Sequence, residues 1–552
     1  MIDAKKIDST CSKMEYDQSA LHSAIWRIAR GLRGSIDGWD FKQFFLGILF
    51  YRIISESLNF YVNRVKKVSG ELNYNYAVLN DDEAESERDL VLKEKGFFIR
   101  PSELFGNVRK RTTDIIDLNE TLEKVFRNIE DSAKNTKTNM KGLFEIFDLK
   151  SNKINATMTQ RKEKLIKLLD AIGDLPIGNY DDNPIDLFDD INGLPIGSYD
   201  DISIDLFGDA YQCLMALYDT SAGKINGEFF TPSEVSELLT RITVVGKTEV
   251  NKVYDPTCGS GALLLKFAKV LGKKNIRGGY YGQEINITTY NLCRINMVLR
   301  GVDYNIAHGD TLTDPHHWED EPFDAIVSNP PYSINWDGDS DPSLVNDRRF
   351  TPAGVLAPKS KADMAFVMHS LFWLAENGAA AIISSPGLMF RSGPEKKIRK
   401  YLVDNNYVDA VIQLPEDLFF STITAPCILV LKRNKSDSKV LFIDASKEFV
   451  RVVIKIRRDA IKKKLNDDHI EKILNCYVNR EDREYFSHLV ESKEIERKNY
   501  DTSVHLYVAP KDTRKVVNIT ELNTHIKTIA DRQNKLRTQK DAIVANLEGL
   551  AQ

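Results

Sequence analysis

The sequence predicts an α/β protein. A doubly wound, mostly parallel sheet is expected between a helical domain at the amino end and a helical tail at the carboxyl end. Three observations carry this. From about residue 205 to 435, short apolar runs alternate with helix-like segments, as βα units do. Several of those runs end in glycine, in an acid or in Asn-Pro-Pro-Tyr, which suits a ligand crevice at the carboxyl ends of strands. Residues 20–170 read as mainly helical, and the last forty or so residues carry an apolar heptad stripe.

In chain order, the helical region opens at Leu21 to Glu56, with Trp26, Leu32-Arg33-Gly34 and the run Phe44 to Phe50; polar loops surround Asp81 to Glu87. Next comes a repeat. Leu175-Pro176-Ile177-Gly178-Asn179-Tyr180-Asp181-Asp182 returns as Leu194-Pro195-Ile196-Gly197-Ser198-Tyr199-Asp200-Asp201, and Ile185 to Phe188 as Ile204 to Phe207, at a constant offset of 19 residues. Two copies are too few for a solenoid. A duplicated, turn-rich connector over 171–209 is the simpler reading.

Gly227-Glu228-Phe229-Phe230-Thr231-Pro232-Ser233 follows, where Thr231 or Ser233 would cap a helix and Pro232 would sit near its first turn. Val253-Tyr254-Asp255 reads as a strand end. It leads through Pro256-Thr257-Cys258-Gly259-Ser260-Gly261 into an apolar helix start at Ala262. Glycines allow positive φ and close approach of backbone to a ligand. No Gly-Lys-Ser/Thr follows, which excludes a phosphate loop, and the third glycine of a dinucleotide turn is missing.

A second strand, Gly279 to Glu284, ends in a carboxylate, where a ribose diol can be held; alone, a strand-end acid is usually a turn or helix cap. A third, Ile306-Ala307-His308, ends in Gly309-Asp310, within reach of an adenine amine. A fourth, Phe323 to Ser328, runs into Asn329-Pro330-Pro331-Tyr332. Both prolines have fixed φ and no N–H, so carbonyls there point outward without competing donors. The Asn carbonyl adds an acceptor and the Tyr ring a flat face. That set suits a planar exocyclic amine; the bland reading is a Pro-rich loop with a buried Tyr. Asp363 to Glu376 reads as a helix, and Ala379 to Ile383, Val408 to Ile412 and Cys427 to Leu431 as strands. Residues 436–510 mix strands and charged helices. In the tail, Ile519, Leu522, Ile526, Ile529, Leu536, Ile543 and Leu547 fall on one seam, which suits packing on a partner helix or on the chain itself.

Bulk composition narrows the class. Over 552 residues, 42% hydrophobic and 28% charged content fits a soluble globular protein of more than one domain. No apolar run is long enough for a membrane span, and the first residues lack a secretory stretch. Six scattered cysteines indicate neither a disulfide frame nor a zinc site, and a reduced, cytoplasmic setting is expected. His316-His317 reads as solvated loop rather than metal ligand, so no metal is expected. The net charge of −5 lacks the cationic excess of an autonomous DNA binder. Local basic stretches remain at Lys396 to Lys400 and at Arg451 to Lys464; both read first as solvated helix faces, with contact to backbone phosphates as the alternative.

Taken together, Gly-Glu-Phe-Phe-Thr-Pro, Asp-Pro-Thr-Cys-Gly-Ser-Gly, Gly-Gln-Glu and Ser-Asn-Pro-Pro-Tyr resemble, in this order, the modification subunit of type I restriction–modification systems. The likeness extends from about residue 20 to 510. It implies a Rossmann-like methyltransferase sheet that moves a methyl group from S-adenosylmethionine to adenine N6 of DNA. By the same likeness, Asn329, Pro330, Pro331 and Tyr332 are catalytic. Glu228, Phe229, Phe230, Thr231, Pro232, Ser233, Asp255, Gly259, Ser260, Gly261, Ala262, Glu284 and Asp310 form the cofactor set. The family often has Ser where Ala262 stands, so only a backbone contact would survive there. The implied domains are helical (20–170), connector (171–209), methyltransferase (210–435), its extension (436–510) and a partner-packing helix (511–552). Implied partners are DNA, a specificity subunit shared by two such chains, and a motor–nuclease subunit. A stand-alone DNA adenine methyltransferase and a protein-glutamine methyltransferase are the rivals. The missing recognition domain counts against the first, and the helical domain with Gly-Glu-Phe-Phe-Thr-Pro against the second.

Overall fold

The computed structural model describes residues 23–25, 27–28, 38–136, 138–144, 158–175, 231–419, 424–455, 459–509 and 519–549. The 19-residue repeat beyond Leu175, and Glu228, Phe229 and Phe230, lie outside the described residues. The chain divides into two units, Met1–Val508 and Ala509–Gln552.

The amino-terminal part of the first unit is helical. Helix α1 (Gly38–Val68) runs its buried residues, among them Phe45, Leu49, Tyr51 and Leu58, through a core shared with α2 (Leu118–Ser132) and α3 (Met158–Gly173). Asp117 caps α2 by accepting from the Glu120 backbone N–H at 3.0 Å, and Leu118, Leu122, Val125, Phe126 and Ile129 form its buried stripe. That is the 3.6-residue period of a helix with one face in a core. Arg52 is fully buried beside Glu56 and donates to the Ile172 and Leu175 carbonyls, pinning the end of α3 to α1.

Next comes α4 (Ser233–Thr243), then a nine-stranded sheet built from β1 (Val250–Asp255), β2 (Ile276–Glu284), β3 (Tyr304–His308), β4 (Phe323–Ser328), β5 (Leu374–Ser384), β6 (Val408–Gln413), β7 (Cys427–Lys432), β8 (Lys439–Asp444) and β11 (Ser487–Glu491). The order across the sheet is β11-β8-β6-β7-β5-β4-β1-β2-β3. From β3 to β5 all neighbours are parallel; β7 is antiparallel to both β5 and β6, and β11 to β8. Strands such as β4 and β7 are apolar on both faces because helices cover both sides. The covering helices include α5 (Ala262–Leu271), α6 (Ile287–Arg300), α7 (Asp363–Trp373), α8 (Pro394–Asp404) and α9 (Asp467–Asn479). Chain order steps outward from β1 to β2 to β3, then returns to the other side of β1 for β4. The switch point therefore lies between β1 and β4.

Helix α6 belongs to two cores. Cys293 and Met297 pack with the sheet core, whereas Leu292, Ile295, Val298 and Leu299 pack with the amino-terminal helices. Buried Arg294 reaches across, donating to the carbonyls of Asn139 at 2.9 Å and Lys141 at 2.7 Å; the Tyr304 hydroxyl also donates to Asn139 O, at 2.6 Å.

A two-stranded ribbon, β9 (Val450–Lys455) with β10 (Asp459–Lys464), stands outside the main sheet. Three expectations need correction here. The Asp363 helix ends at Trp373, and residues 374–376 already open β5, whose register with β4 begins at Phe323 opposite Leu374. Arg399 is no solvated cation: it is buried and donates to the Tyr500, Leu388 and Arg391 carbonyls. His317 is buried among Tyr254, Tyr281, Phe323 and Trp373, with its ring nitrogens on Asp320 and the Gly282 carbonyl; only His316 is exposed. Among the described residues no helix is long and apolar enough to cross a membrane.

In the second unit, α10 (Ile519–Gly549) is one 31-residue helix. Its seam residues Ile519, Leu522, Ile526, Ile529, Leu536 and Ile543 are exposed; Leu547 has no described side chain.

Candidate active site

Every described residue of the expected set lies at the carboxyl edge of β1, β2, β3 and β4 or at the entry to α4. Asp255 ends β1 and is fully buried; its Oδ1 accepts from the Thr257 backbone N–H at 2.9 Å. Its Oδ2 is buried with no hydrogen-bond partner among the described residues. Burial first, and then the nearby Glu284 carboxylate, push the Asp255 carboxyl up to about 8, although the Thr257 N–H pulls the other way.

The turn after β1 is tight because two glycines take left-handed backbone, Gly259 at φ +52° and Gly261 at φ +78°. A Cβ on Gly261 would lie 2.7 Å from Cys293 Sγ and 2.8 Å from Met297 Cε, so the turn sits directly on α6. Asn296 of α6 donates to the Ser260 carbonyl at 2.8 Å. Gly261 is the N-cap of α5 and Ala262 its first residue.

Glu284 ends β2. Its carboxylate bridges two backbone amides, Gly259 N–H at 3.0 Å and Asn286 N–H at 2.8 Å, which locks it against the turn. The Glu284 carbonyl accepts from Gly309 N–H at 3.1 Å, and Asp310 then accepts from Leu312 N–H at 2.9 Å. The loop beyond is anchored from below. Buried Arg349 donates to the Thr311 and Leu312 carbonyls at 2.8 and 2.7 Å, and to His369 Nδ1 at 3.0 Å. Burial and the adjacent guanidinium hold His369 well below the usual imidazole range, so it is neutral.

Asn329 follows β4 and is nearly buried; Pro330 is buried, and Pro331 and Tyr332 are half-buried. Asn329 Nδ2 donates to Thr231 Oγ1 at 3.0 Å, across 98 residues of sequence. Thr231 therefore does not cap α4. The N-cap is Pro232, with no side-chain cap bond, and Ser233 is the first helical residue, bonded to Lys266 Nζ at 2.6 Å. The two halves of the site also meet through Thr257 Oγ1 and Ser328 Oγ, 2.9 Å apart. Burial raises the Tyr332 phenol well above its ordinary value, so it stays protonated. Beyond it, Ser333 at φ +51° donates its N–H to Asp363 at 3.0 Å.

The arrangement brings together a buried carboxyl, a glycine turn, a clamped Glu284 and an Asn-Pro-Pro-Tyr turn around one crevice. Thr257, Ser328, Asn296, Asp363 and Arg349 were not picked out from the sequence. Ser328 and Thr257 lie within the motifs and were open to notice; Asn296, Asp363 and Arg349 carry no local signal. Among the described residues no group of three or more His, Cys, Asp or Glu side chains could hold a metal ion.

Fold and site together define a doubly wound α/β protein with a ligand crevice at its switch point, and comparison with known proteins supplies the class. The N-6 DNA methylase family model matches residues 202–516, and the HsdM N-terminal domain model matches 21–172. The chain is 43% identical to the type I restriction enzyme MpnII methylase subunit of Mycoplasma pneumoniae, over 97% of this chain and 98% of that one. A crystal structure of a type I restriction–modification methyltransferase subunit from Streptococcus thermophilus matches with TM-score 0.73 and 32% identity, covering 89% of this chain and 99% of that one. A modification subunit of a type I enzyme from Vibrio vulnificus, at 16% identity, TM-score 0.54 and coverage of 87% and 93%, shares the fold. The chain belongs to the methylase subunits of type I restriction enzymes, and its activity is that of an adenine-specific DNA methyltransferase.

Proposed function

We propose that this subunit transfers a methyl group from S-adenosylmethionine to N6 of an adenine swung out of the DNA helix. The observation that carries the reading is the junction at the switch point. The Asp255–Gly261 turn and the Asn329 turn are tied together by the Thr257–Ser328 and Thr231–Asn329 contacts. The cofactor would supply the methyl group as a sulfonium, already activated for transfer.

The residues present fit it. Buried Asp255 Oδ2 suits the ligand's ammonium, Glu284 the ribose diol, and Asp310 the adenine amine. Main-chain atoms of Gly259 to Ala262 and of Thr231 to Ser233, with Glu228, Phe229 and Phe230 before them, complete the set. Holding Asn329 Nδ2 on Thr231 fixes which edge of the amide carries its acceptor. Asn329 and the Pro330 carbonyl then accept from N6, and Tyr332 stacks on the extruded base. Positioning and electrostatics do the work, with no covalent intermediate on the protein.

The acidic balance supports dependence on a specificity subunit for sequence choice, with two methylase chains to each and a motor–nuclease subunit completing the enzyme. The exposed seam of α10 suits that assembly. Labelled methyl transfer to DNA, with and without a specificity subunit, tests the reading. Asn329→Ala should lower transfer by about 100-fold or more while cofactor affinity stays within a few-fold. Near-normal turnover in that variant would sink the assignment.

A further inference from the structure

The β9–β10 ribbon has no part in the cofactor crevice, yet it is the most basic stretch of the chain. Residues 447–464 hold eight Lys or Arg against two Asp or Glu, in a protein of net charge −5. The ribbon is fastened to the catalytic edge. Lys462 pairs with Asp417 at 2.5 Å and Lys463 with Glu416 at 3.0 Å. Both acids lie in the loop leaving β6, whose carboxyl end is on the same edge as those of β1 and β4. Burial raises the Glu234 carboxyl, with Lys464 near enough to oppose that only in part, and Glu234 stands three residues from Thr231, the partner of Asn329.

Those two anchoring lysines are neutralised. Lys447, Arg451 and Lys464 are not: each is exposed and has no ion-pair partner within 4.0 Å among the described residues. Three unpaired cations thus sit at the base of a ribbon beside a site whose substrate base hangs from a polyanion. Phosphates run away from an extruded base in both directions, so cations at this edge meet backbone whatever the sequence. We infer that the base of the β9–β10 ribbon grips the DNA phosphates flanking the target adenine. This rests on the crevice being the adenine site.

The test is the salt dependence of DNA binding by the full chain. Affinity for a random-sequence duplex is read by fluorescence anisotropy over a range of potassium chloride. Each lost phosphate contact removes about 0.9 from the slope of log affinity against log salt. The variant with Lys447→Gln, Arg451→Gln and Lys464→Gln should therefore lose about 2.7 from the slope. Its S-adenosylmethionine affinity, by calorimetry, should match the parent, which also reports that it is folded. A control with Lys269→Gln, Lys274→Gln and Arg277→Gln removes equal charge near the opposite edge and should keep the parental slope. An unchanged slope in the ribbon variant overturns the inference. So does an unchanged slope joined to failed co-purification with the specificity subunit, which would make the ribbon a protein contact. The crevice assignment fails by a different sign: an assembled wild-type enzyme that moves no label to DNA.

Discussion

Replacing Gly261 with alanine tests the claim that the cofactor turn is held by α6. Two penalties are expected. The first is backbone: φ +78° is left-handed, and an L-residue there costs about 1–2 kcal/mol. The second is crowding: the new Cβ would come within 2.7 Å of Cys293 Sγ and 2.8 Å of Met297 Cε. The Met297 methyl is the far end of a flexible chain and can swing away. The short Cys293 side chain cannot, so an overpacking cost of about 1–3 kcal/mol is expected. Together these give about 2–5 kcal/mol. A 552-residue chain need not unfold in one step, so global denaturation is a poor assay. Calorimetric affinity for S-adenosylmethionine is better, because ligand binding must rebuild the native turn. At 1.4 kcal/mol per tenfold, affinity should fall at least about 30-fold. Adding Cys293→Ala removes the crowding and leaves the φ penalty, so the double variant should recover about tenfold. Gly282→Ala is the companion: Gly282 lacks a left-handed φ, and its Cβ would meet Cys258 at 2.9 Å and Ile306 Cδ1 at 3.1 Å, so it should show the crowding cost alone. A neutral Gly261→Ala would refute the geometry of the turn, and strict additivity with Cys293→Ala would refute the crowding.

Two further outcomes are expected. The raised Asp255 carboxyl binds a proton in the folded chain that the unfolded chain, with an ordinary carboxyl, gives up near pH 4. Its burial therefore favours folding least at high pH, the contribution falling as pH rises from about 4 to about 8. If Asp255 holds a cationic ammonium, cofactor binding below pH 8 should release up to one proton, seen as calorimetric heats that vary with buffer ionisation enthalpy; Asp255→Asn should abolish that release. Arg294→Ala should strip the Lys141 carbonyl of its donor while the Tyr304 hydroxyl keeps serving Asn139 O. A local cost of about 1.5–3 kcal/mol follows, and hydrogen exchange at residues 139–142 should speed up accordingly. Unchanged exchange there would mean that the bridge carries no energy.

The elements that frame the crevice were readable because their signals are local. An apolar run such as Phe323 to Ser328 followed by Asn-Pro-Pro-Tyr announces both strand and turn, and Gly259 and Gly261 announce a left-handed bend. Thr231 was misread for the opposite reason. Its type and place fit a helix cap, but its hydroxyl is engaged by Asn329, 98 residues away, which no local rule anticipates. His317 was misread because its polar neighbours hid the aromatic cage around it. Arg399 looked like one more charge in a basic helix, although its three carbonyl partners come from two other segments. The opening of β5 was hidden because Leu374 and Ala375 continue the apolar text of α7.

The double membership of α6 bears on how this enzyme can be cut or recombined. A catalytic fragment begun after the amino-terminal helices would expose Leu292, Ile295, Val298 and Leu299 on the very helix that braces the glycine turn. Such a fragment would be prone to aggregate, and its cofactor turn would lose rigidity with the helix beneath it. Chimeras between relatives should therefore be joined so that α6 and the 139–144 loop come from the same parent. A crossover between them asks two foreign surfaces to fit, and the misfit would surface in the cofactor pocket rather than at the seam.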